Sequence, residues 1–194
     1  KMDHTAAIIG GVGDDDFGHY TIDRMRADGV DCRFIHLSDR LSTGCAFVTY
    51  FEDGSRKFIF HMGNTPAVEA KAPEVEEIKA VKYMHIMGCA LMASKTFAQE
   101  ILKTMHIMRQ KGAKISFDPN IREELFTDSS VNAVIQEVMN NVNIFMPGRE
   151  ELLKITGASS IDEAIRRCFE YETMEVIALK KGSKGSAIYT REEV

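Results

Sequence analysis

Residues 83–117 read YMHIMGCALMASKTFAQEILKTMHIMRQKGAKISF. The two ends of this stretch, Tyr83–Met87 and 113–117, are short β-prone runs. Between them, 94–110 carries Phe97, Ile101, Leu102, Met105 and Met108 at three- and four-residue spacing, the stripe by which a helix packs on a sheet. A helix lying between two strands predicts parallel pairing through a crossover, with ligands expected at the carboxyl ends of the strands. The alternation continues with a helix at 131–140, a strand at 143–145, helices at 149–155 and 161–171, and strands at 176–179 and 186–189. Ser160-x-x-Glu163 reads as a capping box opening the second of those helices.

Working toward the amino end, a strand at 5–9 runs into Gly10-Gly11-Val12-Gly13, read as a glycine turn, and an amphipathic helix at 17–27 stops at Gly29. Three β-prone runs follow at 33–37, 44–51 and 56–62, with Asp53-Gly54 supplying the positive φ angles of a tight turn. A small antiparallel sheet is expected there. The chain is therefore α/β, with a doubly wound, mostly parallel sheet formed by residues 1–30 and 67–194. Residues 31–66 form a β insert that acts as a lid or an oligomer surface, since a hairpin alone in water is barely stable.

The composition fits one such domain. Of 194 residues, 44% are hydrophobic and 27% charged, and 24 basic against 29 acidic side chains give a formal charge of −5. No basic run is long enough to track a phosphate backbone, and no apolar run approaches the roughly 18 residues of a membrane span. Neither nucleic acid nor membrane is expected as a partner. With no basic-then-apolar leader before the first strand, a cytoplasmic location is expected. Cys32, Cys45, Cys89 and Cys168 form no CxxC pair and read as reduced thiols, partly buried.

Several familiar motifs fail on inspection. Asp16 occupies the last glycine position of a dinucleotide fingerprint begun at Gly11, and Asp16-Phe17-Gly18 lacks the loops that a protein kinase places before it. Gly182-Ser183-Lys184-Gly185-Ser186 has the wrong spacing for a P-loop. The six histidines form no paired ligand motif, and no direct metal ligands are expected. Two loops remain. Asp118-Pro119-Asn120-Ile121-Arg122 leaves a strand where an α/β sheet presents functional groups, and it either grips hydroxyls or an anion or caps the next helix. Lys180-Lys181-Gly182-Ser183-Lys184-Gly185 is either a phosphate-facing loop or a plain surface hairpin.

Taken in order, these segments resemble the ribokinase-like sugar kinases of the PfkB family. The resemblance rests on Gly10 to Gly18, Thr43-Gly44, Asp118 to Arg122, Met146-Pro147-Gly148-Arg149-Glu150-Glu151-Leu152 with Thr156-Gly157, and Leu179 to Gly185. The DPNxR and MPGxEEL wording is similar to the branch of 2-keto-3-deoxygluconate kinases and fructokinases.

The resemblance implies a three-layer αβα fold with a small β-sheet lid. It also implies transfer of the ATP γ-phosphoryl group to a hydroxyl of a sugar or sugar acid, with Mg2+ and a homodimer formed through the lid. It places Asn120 and Arg122 at the substrate, together with Ala46, Ile59 and His61 on the lid strands. Glu151 matches the glutamate that organises Mg2+ and phosphate, and Gly148 stands where that motif has asparagine. Gly182, Gly185 and Lys180 fall on the nucleotide side. A mostly neutral imidazole at His61, in place of the arginine of keto-acid kinases, favours a neutral sugar.

No residue matches the family's catalytic aspartate, which belongs to a late Gly-Ala-Gly-Asp motif. A polypeptide continuing past Val194 into that motif is expected, and the 194 residues alone are expected to be inactive. The alternatives are a non-catalytic sugar- or nucleotide-binding or assembly module on the same fold, and a nucleoside kinase.

Overall fold

The computed structural model describes residues 4–61, 64–78, 80–121 and 130–193. Contacts within the chain divide it into two units, Lys1–Pro73 and Glu74–Val194. In the first, strand β1 (Ala6–Gly13) leads into helix α1 (Asp16–Ala27), and strand β2 (Val30–Ser38) returns parallel to β1, with Ala6 beside Val30 and Gly13 beside Ser38. Val12, Ile22 and Cys32 form the buried centre of this unit, with Met25, Val30 and Ile35 packed around it. The run at 33–37 therefore does not belong to the antiparallel sheet expected of it. A helix standing between two adjacent strands brings the second back in the same direction as the first.

The glycines after Ile9 are strand as well, not turn. None of Gly10, Gly11 and Gly13 has positive φ, and a Cβ at Gly11 would lie 2.1 Å from the carbonyl oxygen of Pro66. Gly11 and Gly13 are small because other stretches of backbone approach the strand closely there. Strands β3 (Cys45–Tyr50) and β4 (Arg56–His61) pair antiparallel, with Cys45 opposite His61 and Tyr50 opposite Arg56. Phe51 N–H donates to the Ser55 carbonyl at 3.0 Å, leaving Glu52-Asp53-Gly54 as the connection. Of Asp53 and Gly54, only Gly54 has positive φ, at 81°, so this is the three-residue hairpin type with its glycine left-handed.

The second unit contains the alternation read from 83–117. Strand β5 (Tyr83–Met87) is followed by helices α2 (Gly88–Ala93) and α3 (Lys95–Gln110), strand β6 (Lys114–Asp118), helix α4 (Ser130–Met139) and strand β7 (Ile144–Phe145). Helices α5 (Arg149–Thr156) and α6 (Ile161–Cys168) and strands β8 (Val176–Lys180) and β9 (Ser186–Thr190) complete it. The sheet order is β5-β6-β7-β8-β9, parallel from β5 to β8 and antiparallel at β9.

Successive crossovers step across this sheet in one direction, and their common right-handedness sets the helices on one face. Ile86, Ile115, Phe117, Phe145, Ile177 and Leu179 on that face are all but inaccessible, whereas Tyr83, Met87 and Ile188 on the other are half exposed or more. The α2 turn escapes a periodicity reading because it is one short segment opened by glycine. A Cβ at Gly88 would lie 1.8 Å from the Pro119 carbonyl oxygen.

At α6, the Ser160 hydroxyl accepts from the Glu163 N–H at 3.2 Å, as the capping box requires. The Glu163 carboxylate turns instead to the N–H and hydroxyl of Ser159, at 3.0 and 2.8 Å, so the reciprocal half of the box falls one residue earlier. Arg191 gathers the loop after α6 by donating to the carbonyls of Met174 and Phe169 at 2.9 and 2.8 Å.

Two expectations follow from the packing. Gly11→Ala forces a Cβ into backbone and should cost about 1–3 kcal/mol in a denaturant titration, while Gly10→Ala, whose Cβ meets nothing within 4 Å, should leave the midpoint nearly unchanged. Burial pushes the Cys168 thiol up to about 12. An alkylating reagent at neutral pH should therefore reach the partly exposed Cys45 in the native protein and Cys168 only after denaturation, as read by peptide mass.

Candidate functional site

Strands β6, β7 and β8 are adjacent and parallel, so their carboxyl ends deliver Asp118, Met146 and Lys180 to one edge of the sheet. The loop after β6 bends sharply. Asn120 is held at φ 36°, a left-handed conformation that asparagine tolerates better than most residues, and its N–H donates to Asp118 Oδ1 at 3.2 Å. Arg122 lies outside the described residues.

Glu151, in the first turn of α5, joins two of these strand ends. Its Oε1 accepts from the Ile121 N–H at 2.9 Å and its Oε2 from the Gly148 N–H at 2.6 Å. A carboxylate accepting at a helix start satisfies an otherwise orphan donor and sits favourably in the helix dipole. Gly148 in turn bridges to Lys180, whose own N–H donates to the Pro147 carbonyl at 2.8 Å. The structure thus brings Asn120, Gly148, Glu151 and Lys180 to a single edge of the second unit.

The β8–β9 connection is a hairpin in form. Lys181 N–H donates to the Gly185 carbonyl at 2.8 Å, a short 3-10 turn spans Gly182–Lys184, and Gly182 and Gly185 take φ of 60° and 82°. The glycines are required by backbone conformation in either reading of this loop. The Lys180 ammonium donates to both oxygens of Asp118, at 2.7 and 2.8 Å. That ion pair was not legible in the sequence, because its members are 62 residues apart and on strands that are not neighbours.

In the first unit, the three lid-strand candidates divide between two faces of the hairpin. Ile59 pairs with Phe47 and His61 with Cys45, on one face; Ala46 pairs with Phe60, on the other. Ala46 therefore sits on the opposite face of the hairpin from Ile59 and His61. Sequence reading also missed Asp15. Its Oδ1 accepts from the Gly18 N–H at 2.8 Å and the Thr43 hydroxyl at 2.7 Å, and its Oδ2 accepts from the Thr43 N–H at 2.8 Å. An aspartate just ahead of a helix is a recognisable N-cap signal, but its link to Thr43 is not.

Among the described residues, no three His, Cys, Asp or Glu side chains cluster as a metal site. The hydrogen bonds from the Thr43 backbone, the Thr43 hydroxyl and Gly18 hold the Asp15 carboxyl below its usual range. Because the folded value is depressed, the stabilisation is complete above the ordinary carboxylate pKa of about 3.9 and disappears as pH falls through the folded value. Asp15→Asn should lower the denaturation midpoint at pH 7, and the gap from wild type should close progressively below pH 4 in an acid titration.

The fold has known counterparts. An E. coli protein assigned as ribokinase II superposes with a TM-score of 0.92 at 33% identity, covering 99% of this chain and 62% of that one. The same protein in complex with ATP and Mg2+ gives 0.91 at 33% identity, covering 99% and 61%. Fructokinase-1 of Zea mays is 30% identical over 190 residues, covering 96% of this chain and 58% of that protein. Fructokinase-2 of Solanum lycopersicum is 26% identical over 194 residues, covering 98% and 59%. The chain thus spans about three-fifths of the length of these relatives. The family model described as pfkB family carbohydrate kinase matches residues 1–194, and on that match, with this fold, the chain belongs to the pfkB family of carbohydrate kinases.

Proposed function

We propose that these residues carry part of the site of an ATP-dependent phosphotransferase whose acceptor is a hydroxyl of a neutral sugar. The observation that carries this reading is the edge where Asn120, Glu151, Gly148 and Lys180 meet in a pfkB chain. Phosphoryl transfer asks little covalent chemistry of a protein; it asks for positioning, charge stabilisation and exclusion of water. A polar loop ending one strand and a glycine-lysine loop ending another supply the first two. The relatives named fructokinase favour a hexose, and His61 in place of a fixed cation agrees with an uncharged acceptor.

Asn120 and Arg122 are the residues for the sugar, and Gly182, Gly185 and Lys180 those for the nucleotide. Mg2+ keeps several of its waters and takes few protein ligands, which suits a site whose carboxylates already have partners. Glu151, whose oxygens each accept from a backbone N–H, is the residue that would hold the ion through water, and the ion would neutralise charge on the phosphates. The β3–β4 hairpin serves as the lid, and its exposed Val48 and Tyr50, which share a face, form the surface for a homodimer. The cytoplasm is the proposed location; no described helix is long and apolar enough to cross a membrane.

A second reading, a binding module without turnover, draws on one specific observation. Asp118 is paired with Lys180 and Glu151 with two amides, so neither stands ready as a general base. The test is ADP release by the full polypeptide that carries these residues, offered ATP with hexoses, keto acids or nucleosides. A hexose should raise ATP consumption well above that with ATP alone. Nucleotide binding with no acceptor-dependent turnover across the panel would overturn the kinase reading in favour of the module, and turnover confined to nucleosides would move the proposal to a nucleoside kinase.

A further inference from the structure

The contact between Asp118 and Lys180 is unusual in its placement. The two residues end β6 and β8, and β7 stands between them, so the lysine side chain reaches across the end of the intervening strand. The chain that follows β7 stays between them, the Met146 N–H donating to the Phe117 carbonyl and the Pro147 carbonyl accepting from the Lys180 N–H, both at 2.8 Å, so the lysine side chain passes over the face of that strand end. Stability is a poor reason for the pair. Lys180 is 45% exposed and Asp118 25%, and an ion pair in that setting contributes little to folding. What the pair does accomplish is to fix a positive charge at the carboxyl edge of a parallel sheet, on the same carboxylate that accepts from the N–H of the left-handed Asn120.

We propose that Asp118 is a positioning residue for phosphoryl transfer that acts through Lys180. It holds the ammonium at the strand edge until the phosphate chain of the nucleotide competes for it. The inference deepens the phosphotransfer reading above and rests on it. Three observations join in it. Asp118 is the acceptor for both Lys180 and the Asn120 N–H, so the carboxylate links the charge to the acceptor loop. Glu151 is committed to the Ile121 and Gly148 amides and does not compete for the ammonium. The Lys180 backbone is itself anchored to Pro147, so only the side chain is free to move from one anion to another.

Charge at the developing phosphoryl oxygens is where a fixed ammonium contributes most, and the loss of one such group typically costs about a hundredfold in rate. In the full polypeptide, Lys180→Gln should therefore lower kcat by about that factor with little change in the KM for sugar. Lys180→Arg, which can still pair with Asp118, should restore much of it. Asp118→Asn releases the ammonium. It should lower kcat while tightening MgATP binding in calorimetry by about threefold, the scale of an exposed ion pair. In the double variant both effects of Asp118→Asn should vanish, leaving the values of Lys180→Gln alone.

Independent, multiplying effects of the two substitutions would overturn the proposal, as would an unchanged kcat in Lys180→Gln. If no sugar supports turnover, the phosphotransfer reading fails by itself. The competition between Asp118 and phosphate is then judged by calorimetry, where an MgATP affinity unmoved by Asp118→Asn would overturn it as well.

Discussion

Backbone hydrogen bonding in a parallel sheet admits only one polarity, and each new parallel strand must be reached through a crossover. The arrangement of the second unit follows from that constraint. Once β6, β7 and β8 lie side by side, the residues that leave them emerge along one edge, whatever their separation in sequence. The apolar contacts that hold the strands in place are centred on Phe117 and Phe145, inaccessible rings stacked with centroids 5.9 Å apart. Burying each such ring stabilises the fold by about 1.5–3 kcal/mol. The polar edge is thus fixed by packing immediately beneath it, which is how a site made of loops can remain ordered.

At that edge the carboxylates act as connectors. Glu151 spans two backbone amides that belong to different strand ends, and Asp118 spans an amide of its own loop and the ammonium of another. Backbone donors near a helix start or in a tight turn must find acceptors, and a buried donor left unpaired would cost about 1–3 kcal/mol. Using anionic acceptors meets that requirement and concentrates negative charge where cations or amides are already present. In the first unit Asp15 does the same, joining the start of α1 to the segment leading into β3. The pattern recurs because aspartate and glutamate offer two oxygens that can accept from separate pieces of chain.

What could be read from the sequence divides along physical lines. Tyr83–Met87 and the helix ending at Gln110 were legible because their apolar spacing is local and periodic. The glycines of β1 misled, since a glycine placed to admit Pro66 looks in sequence like one placed to make a turn. The partner of β2 could not be read from its own composition, because β-prone residues suit either direction of pairing. At the candidate site, the Asp118 and Lys180 loops stood out as polar punctuation after strands, yet their ion pair depends on the sheet order, which puts both strand ends at one edge. Thr43 as partner of Asp15 is likewise a product of tertiary placement.

Gly148 shows why residue types carried over from a family need the geometry beside them. The resemblance sets an asparagine at this position, whose side chain would supply a polar contact. Here the residue has no side chain, and a Cβ built on it would come within 3.1 Å of Glu151 Oε2. The carboxylate closes over the start of α5 and bonds the amide of residue 148 itself at 2.6 Å. That bond uses the backbone of residue 148, as the bond from the Glu74 N–H to Glu77 at 2.8 Å uses the backbone of residue 74, so it does not depend on the residue type. What glycine removes is any side-chain contact from this position, and the charge at the strand edge is held there by two backbone amides from different loops.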